Sequence, residues 1–268
     1  MTHVTPPEEH LLYELDTATG IGTITLNRPE ASNAWSQQML TDMLALLPKL
    51  QHDSALKVLI LKSNGKNFCA GGDLEAMRDR SGMFEGNTVE LRAKYSQGLQ
   101  EVTRGFDRLE RPVISAIQGA AIGAGLDLAL MTDIRIASDN SKFGSTFAGV
   151  GLIPGDGGAF LLTRAVGFSR ATELILSTRV IKSEEALRIG LVHEVVAPDQ
   201  LHQRARERAL HIASLPSPAV NMAKVALYRT YSQSIEPALQ LTSALQALVQ
   251  HTPEHEEAVL KLLKKLGK

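Results

Sequence analysis

A chain of 268 residues with 44% hydrophobic and 21% charged residues can bury a large core, and its length suits one α/β domain or one domain with an appendage. A formal net charge of −1 excludes a general attraction to nucleic acid or to an acidic membrane. The single cysteine, Cys69, excludes an intrachain disulfide framework and is compatible with a reducing compartment.

The segment Met1 to His10 has neither a basic stretch nor an apolar core, so no signal peptide is expected, and no run of the chain is long enough to span a bilayer. Cytoplasm is the expected location. Leu12–Leu15 and Ile21–Leu26, separated by the polar, glycine-ended Asp16–Gly20, read as a β-hairpin. After Trp35, the spacing of Leu40, Met43, Leu44 and Leu47 predicts a helix from about Ser36 to Leu50, which Pro48 is expected to kink or end early. Val58–Leu61 is a short apolar run typical of a buried strand. It leads through Ser63–Lys66 into Phe68-Cys69-Ala70-Gly71-Gly72-Asp73-Leu74 and a short helix over Leu74–Arg78.

The polar, glycine-bearing residues 79–88 suit a mobile surface loop. A helix is predicted from about Val89 to Leu109, then a strand from Pro112, a small-residue turn at Gly119–Gly125, a buried helix, and a strand over Asp133–Ala137. This alternation argues for an α/β fold with mainly parallel central strands. From Ile181 the character changes. Ser183–Leu187 starts a short helix that Gly190 stops, and Leu191–Val196 is a brief strand. Amphipathic helices then cover Leu201–Ser214, Ala219–Tyr231, Ile235–Val249 and Glu254–Leu266. The division expected is a core carrying the active site over residues 1–197 and a helical oligomerisation region over 198–268. No internal repeat or low-complexity segment is present.

The chemistry concentrates in two small-residue stretches. In Gly119-Ala120-Ala121-Ile122-Gly123-Ala124-Gly125, a strand ends in a turn that lets a ligand approach the backbone, and the first N–H groups of the following helix have no partner within it. Such donors can hold a developing negative charge. Asp127, a carboxylate in an otherwise apolar helix, stands one turn further on. Taken singly, a Gly-Ala turn serves tight helix-on-sheet packing equally well. Phe68–Leu74 is a second strand end of the same kind, and two such loops on neighbouring parallel strands can aim one N–H each at a single oxygen. Cys69 lies in the second loop; with no histidine nearby in sequence, packing is favoured over a nucleophilic role. No phosphate loop, nicotinamide fingerprint or metal-ligand cluster competes, and the eight histidines are scattered, so no metal is expected.

These two loops, together with Leu26-Asn27-Arg28-Pro29-Glu30-Ala31-Ser32-Asn33-Ala34 and Gly149-Val150-Gly151-Leu152-Ile153-Pro154-Gly155-Asp156-Gly157-Gly158, resemble the crotonase superfamily of enoyl-CoA hydratases and isomerases over nearly the whole chain. The resemblance implies an α/β fold, a crotonase-like spiral of ββα units with a C-terminal helical trimerisation region, and a homotrimer or homohexamer. It implies an acyl-CoA substrate, with coenzyme A part of that substrate and no separate cofactor, and neither nucleic acid nor membrane as partner. Matched residue by residue, the N–H groups of Gly72 and Ala124 would form the oxyanion hole. Arg28, Ala31, Ala70, Gly72, Asp73, Leu74, Ala124 and Phe147 would approach the substrate, and Leu262 and Lys265, from the C-terminal helices, the nucleotide of the coenzyme A in a neighbouring subunit. Met77, Met83 and Phe84 are candidates for the acyl-pocket wall, with local packing as the other reading. Asp73 and Asp133 match positions that are better explained as structural.

Asp127 matches the first catalytic glutamate of the family's hydratases, and Phe147 stands where the second would be. Phenylalanine can neither take nor give a proton. Three readings follow: Asp127 acts alone, which suffices to move a double bond; Asp156 reaches the site as the missing partner; or the reaction is another acyl-CoA chemistry. The activity expected is 2-enoyl-CoA hydration through a thioester enolate. An enoyl-CoA isomerase, or a non-catalytic acyl-CoA binder, is the alternative.

Overall fold

The structure, a computed structural model, describes residues 9–267, so the expectation about the leading segment falls, for residues 1–8, outside the described residues. The chain begins with β1 (Leu11–Asp16) and β2 (Ile21–Leu26), an antiparallel hairpin whose turn closes through the Gly20 N–H donating to the Asp16 carbonyl at 2.8 Å. Helix α1 (Gln37–His52) follows, capped by Ser36, whose hydroxyl accepts from the Met39 N–H at 3.0 Å. Pro48 does not end it. The proline lies on the exposed side, where the carbonyl that loses its partner can reach water, while Leu47 and Leu50 remain buried and hold the last turn.

Next come β3 (Val58–Ser63), α2 (Leu74–Arg78), α3 (Thr88–Gln97) and α4 (Leu99–Arg108). The single helix expected over 89–109 is thus two, broken at Gly98. A side chain there would put a Cβ 2.5 Å from the Lys94 carbonyl oxygen and 3.1 Å from Leu40. The break lets α4 bury Leu99, Val102 and Phe106, whereas α3 has no fully buried residue. The chain continues through β4 (Val113–Ile117), β5 (Ala120–Ile122), α5 (Ala124–Leu130), β6 (Ile134–Ser138) and β7 (Lys142–Gly144). Helices α6 (Gly158–Val166) and α7 (Phe168–Ser177), β8 (Ile181–Lys182), α8 (Ser183–Arg188) and β9 (Glu194–Val196) complete the sheet region. Four helices follow: α9 (Leu201–Ala213), α10 (Ser217–Thr230), α11 (Ile235–Gln250) and α12 (Pro253–Lys265).

Six strands form one sheet in the order β1-β2-β3-β4-β6-β9, parallel from β2 onward, and β5-β7-β8 form a smaller second sheet. Side chains alternate across the large sheet, as the two-residue period of a strand requires. Ile24, Leu59, Leu61 and Val113 face the main core with Met43, Leu47, Val102 and Phe106. Ile21, Val58, Ile60, Ile114 and Ile136 face the other way, against Leu201, Ala205, Ala209 and Ala213 of α9. Small residues every fourth position let α9 lie close on the sheet. The helix after the division expected at residue 198 is therefore part of the core.

A buried polar cluster ties α10 to the sheet. Asp133, at the start of β6, accepts from the Val113 N–H at 2.7 Å, from Lys224 Nζ at 2.8 Å and from the Tyr228 hydroxyl, and Lys224 also donates to the Arg111 carbonyl at 2.9 Å. Asp133 thus has the structural role its motif suggested. Lys224→Met keeps the aliphatic stem but leaves the carboxylate short of its counter-charge, so urea unfolding is expected to show a loss of about 3 kcal/mol; an unchanged midpoint would mean the pair adds nothing.

Candidate active site

Strands β3 and β4 are neighbours, and the segments that leave their carboxyl ends are stitched together. Cys69 bridges Ala121 in parallel, its N–H donating to the Ala120 carbonyl at 2.9 Å and its own carbonyl accepting from the Ile122 N–H at 3.0 Å. The Gly71 carbonyl accepts from the Trp35 N–H at 2.8 Å, and Gly71 adopts φ +100°, a conformation open chiefly to glycine. A Cβ on Gly71 would lie 2.7 Å from the Ile122 carbonyl oxygen and 3.5 Å from the Ala124 nitrogen. The Gly71-Gly72 backbone and the first residue of α5 therefore lie side by side. Among the described residues, no acceptor takes the N–H of Gly72 or of Ala124. Two unsatisfied donors thus share one corner, next to the positive end of a short buried helix.

Asn33, fully buried, and Asn67, partly buried, fix that corner. Asn33 accepts from the Arg28 N–H and donates to the carbonyls of Asn64 and Asn67, each at 2.8 Å, and Asn67 accepts from the Ala120 N–H at 2.9 Å. Arg28 pairs with Asp73 at 2.7 Å, and Asp73 also caps α2 by accepting from the N–H groups of Glu75 and Ala76. Those bonds hold the Asp73 carboxyl below the ordinary carboxylate range, the Ala76 N–H contributing most, with Arg28 and Glu75 adding to it. Ala31 lies half-buried beside this pair, and Ala70 and Leu74 flank Gly72 at the exposed rim. Over Gly72 itself lie Met77, whose methyl stands 2.3 Å from the position a Cβ would take, and Phe84 at 3.6 Å.

Asp127 is buried to 1% exposure in the first turn of α5, and Asp156, from the loop before α6, is buried to the same degree. The two carboxyls are close neighbours in the interior. Burial, then the charge of neighbouring Asp156, raise Asp127 well above the ordinary carboxylate range, offset in part by the Gly158 N–H. One oxygen of each carboxyl is buried without a donor, a demand that one shared proton meets. Gly158 admits this arrangement, since a Cβ there would lie 2.1 Å from both oxygens of Asp127. Phe147 is buried with its ring tip 3.9 Å from the Cβ position of Gly123, forming an apolar wall on the turn before Ala124.

Not every expected residue converges here. Lys265 and Leu262, expected at the nucleotide of a neighbouring subunit, are exposed on α12, which packs on α10 and α11. Cys69 is fully buried and its thiol is pushed up to about 12, chiefly by burial, which fits packing rather than attack. Conversely, Tyr95, Gln100 and Thr103 contact the loop that carries Asp156, and nothing in their spacing signalled it. Asn33 could have been found, because an asparagine between turn residues is the side chain most tolerant of the positive φ, +54°, that it adopts. No group of three or more His, Cys, Asp or Glu among the described residues could hold a metal ion, and no described helix is long and apolar enough to cross a membrane.

The fold, the paired loops and the single helix-borne carboxylate define the class, and sequence comparison agrees: the chain belongs to the enoyl-CoA hydratase/isomerase family, whose model matches residues 16–267. It is 37% identical to the short-chain-enoyl-CoA hydratase of Clostridium acetobutylicum over 246 residues, 91% of this chain and 92% of that protein. It is 33% identical to the 1,2-epoxyphenylacetyl-CoA isomerase of Escherichia coli over 246 residues, 92% and 93% of the two chains. The crystal structure of enoyl-CoA hydratase from Bacillus anthracis superposes with a TM-score of 0.89 at 32% identity, covering 96% of each chain. The expected crotonase fold is thereby established.

Because Asp127 gives up its proton less readily in the folded chain than in the unfolded one, its contribution to stability is present at low pH and lost as pH rises. Asp127→Asn removes that penalty. Its Tm is expected to exceed the wild-type value at pH 7 by about 3 °C or more and to converge on it as pH falls toward 4. An equal or lower Tm at pH 7 would contradict the raised pKa.

Proposed function

We propose that this protein is an enoyl-CoA hydratase that adds water across the double bond of a 2-enoyl-CoA. The observation that carries this reading is the buried Asp127/Asp156 carboxyl pair, one turn along the helix from the free N–H of Ala124 and its neighbour Gly72. Hydration needs a base to activate water and an acid to protonate the α-carbon. A carboxyl pair holding one proton has one member in each state, so Asp156 supplies what Phe147 cannot. The two N–H groups form the oxyanion hole: they donate to the thioester oxygen, and more strongly as it becomes an enolate, removal of one such donor costing about 3 kcal/mol of transition-state stabilisation. Met77 and Phe84, lying over Gly72, close the acyl side and exclude water from the enolate. Coenzyme A enters along Arg28 and Ala31 at the rim, and no separate cofactor takes part. The hydratase names among the relatives support this assignment.

A second reading rests on Phe147. With an apolar wall in place of a carboxylate, one acid/base unit on one side of the substrate suits moving a proton between two carbons, and an isomerase stands among the relatives. For assembly, Leu227, Tyr231, Ile235, Leu239 and Leu260 are exposed along α10 to α12, more apolar surface than a lone chain usually leaves open. Copies are expected to associate through these helices as a trimer or a pair of trimers.

Purified protein with crotonyl-CoA is expected to lose the absorbance of the conjugated thioester and yield a product heavier by one water. Asp127→Asn is expected to lower turnover by about 100-fold or more. No reaction with crotonyl-CoA, together with gain of conjugation from a 3-enoyl-CoA, would replace hydration by isomerisation; unchanged turnover in Asp127→Asn would remove that residue from the mechanism.

A further inference from the structure

Helix α4 presents two polar side chains, one turn apart, to the loop that carries Asp156. The Gln100 amide donates to the Gly155 carbonyl at 2.8 Å, and the Thr103 hydroxyl donates to the carbonyl of Asp156 itself. Among the described residues no other donor reaches either carbonyl. The Thr103 hydroxyl also reaches the Leu99 carbonyl within its own helix, at 3.3 Å, the longer of its two contacts. The Thr103 methyl lies 3.1 Å from where a Cβ on Gly157 would stand, so this one side chain touches two successive residues of the loop.

The loop has little else to hold it. Gly155, Gly157 and Gly158 surround Asp156 with the residues of widest backbone freedom, and Gly157 stands at φ +114°. Helix α4, in contrast, is fixed in the core: it buries Leu99, Val102 and Phe106, and a Cβ on its Gly105 would stand 2.7 Å from Leu47 of α1. Asp156 is 1% exposed and one of its carboxyl oxygens is buried without a donor, so the place of that oxygen follows from the backbone that carries it. Two residues on, a Cβ on Gly158 would lie 2.1 Å from both oxygens of Asp127. A shift of the loop therefore moves Asp156 and the backbone packed on Asp127 together.

Resting on the hydratase reading above, we propose that Thr103, with Gln100 beside it, is a positioning residue: its hydrogen bond to the Asp156 carbonyl sets where the Asp156 carboxyl stands relative to Asp127. Neither Thr103 nor Gln100 acts on the substrate directly. Both work through Asp156, so water addition, which needs a second acid or base held in place, is the step they serve.

The test is a double-mutant cycle on kcat for hydration of crotonyl-CoA. Thr103→Val keeps the methyl against Gly157 and removes the donor; it is expected to melt within a few degrees of wild type and to keep its KM, while kcat falls about 10-fold. Thr103→Ser returns the donor and should restore the rate. Because the effect runs through Asp156, adding Thr103→Val to Asp156→Asn is expected to lower kcat no further than Asp156→Asn alone. Losses that multiply in the double variant, or a wild-type kcat in Thr103→Val, would overturn the proposal. So would a wild-type kcat in Asp156→Asn, which leaves hydration to Asp127 and gives Thr103 nothing to position. If the wild-type protein adds no water to crotonyl-CoA, the hydratase reading fails instead, and the carbon-13 resonance of the Asp156 carboxyl in the substrate-free protein decides. A resonance displaced in Thr103→Val and restored in Thr103→Ser upholds the placement by Thr103; an unmoved one overturns it.

Discussion

The backbone stitching of Cys69 to β5 is the constraint on which the site depends. Two loops leave adjacent parallel strands, and such loops have no reason to share a path unless something pairs them. Reciprocal N–H and carbonyl bonds between Cys69 and residues 120–122 do so, and they place the Gly71-Gly72 backbone against the first residue of α5. The approach is so close that a Cβ on Gly125 would lie 2.1 Å from the Cys69 carbonyl oxygen. Two N–H groups without acceptors are the by-product of this geometry. Backbone donors held by sheet pairing on one side and a helix on the other cannot turn away, which is the preorganisation the proposed oxyanion hole would use.

The carboxyl pair is the site's main expense in stability. Burial and the neighbouring charge of Asp156 disfavour ionisation of Asp127, and the fold tolerates this because the surroundings are bound to the rest of the core. Gly158 yields space to Asp127, while Gln100 and Thr103 secure the neighbouring backbone. Functional sites commonly carry such unfavourable arrangements on an otherwise well-packed frame. Here the frame is the two-faced sheet, with α9 closing one side and the helices α1 and α4 the other.

Much of this was legible in the residues. The hairpin, the strand over Val58–Ser63 and the four closing helices follow from apolar periodicity, and the two loops from their small residues. What misled was local. Gly98 reads as a tolerated helical glycine until Leu40 is seen against it, and Pro48 reads as a stop until its exposed position is known. The small sheet β5-β7-β8 consists of strands of two or three residues, too short for any periodic signal. Helices α6 and α7 follow glycines without a side-chain cap, so the usual start signal is missing.

By itself the sequence determined that the chain is an α/β protein and that two small-residue turns and Asp127 lie within a few residues of strand ends; its family resemblance implied that Phe147 stands where a carboxylate is expected. Those properties are local, carried by composition and by spacing along one element. Only the tertiary structure decided that Asp156 meets Asp127, that Arg28 and Asp73 satisfy one another, and that Lys265 is left on an outer helix. Each of these joins residues from different elements, and such distances are set by how helices dock on the sheet, which no periodicity along the chain encodes.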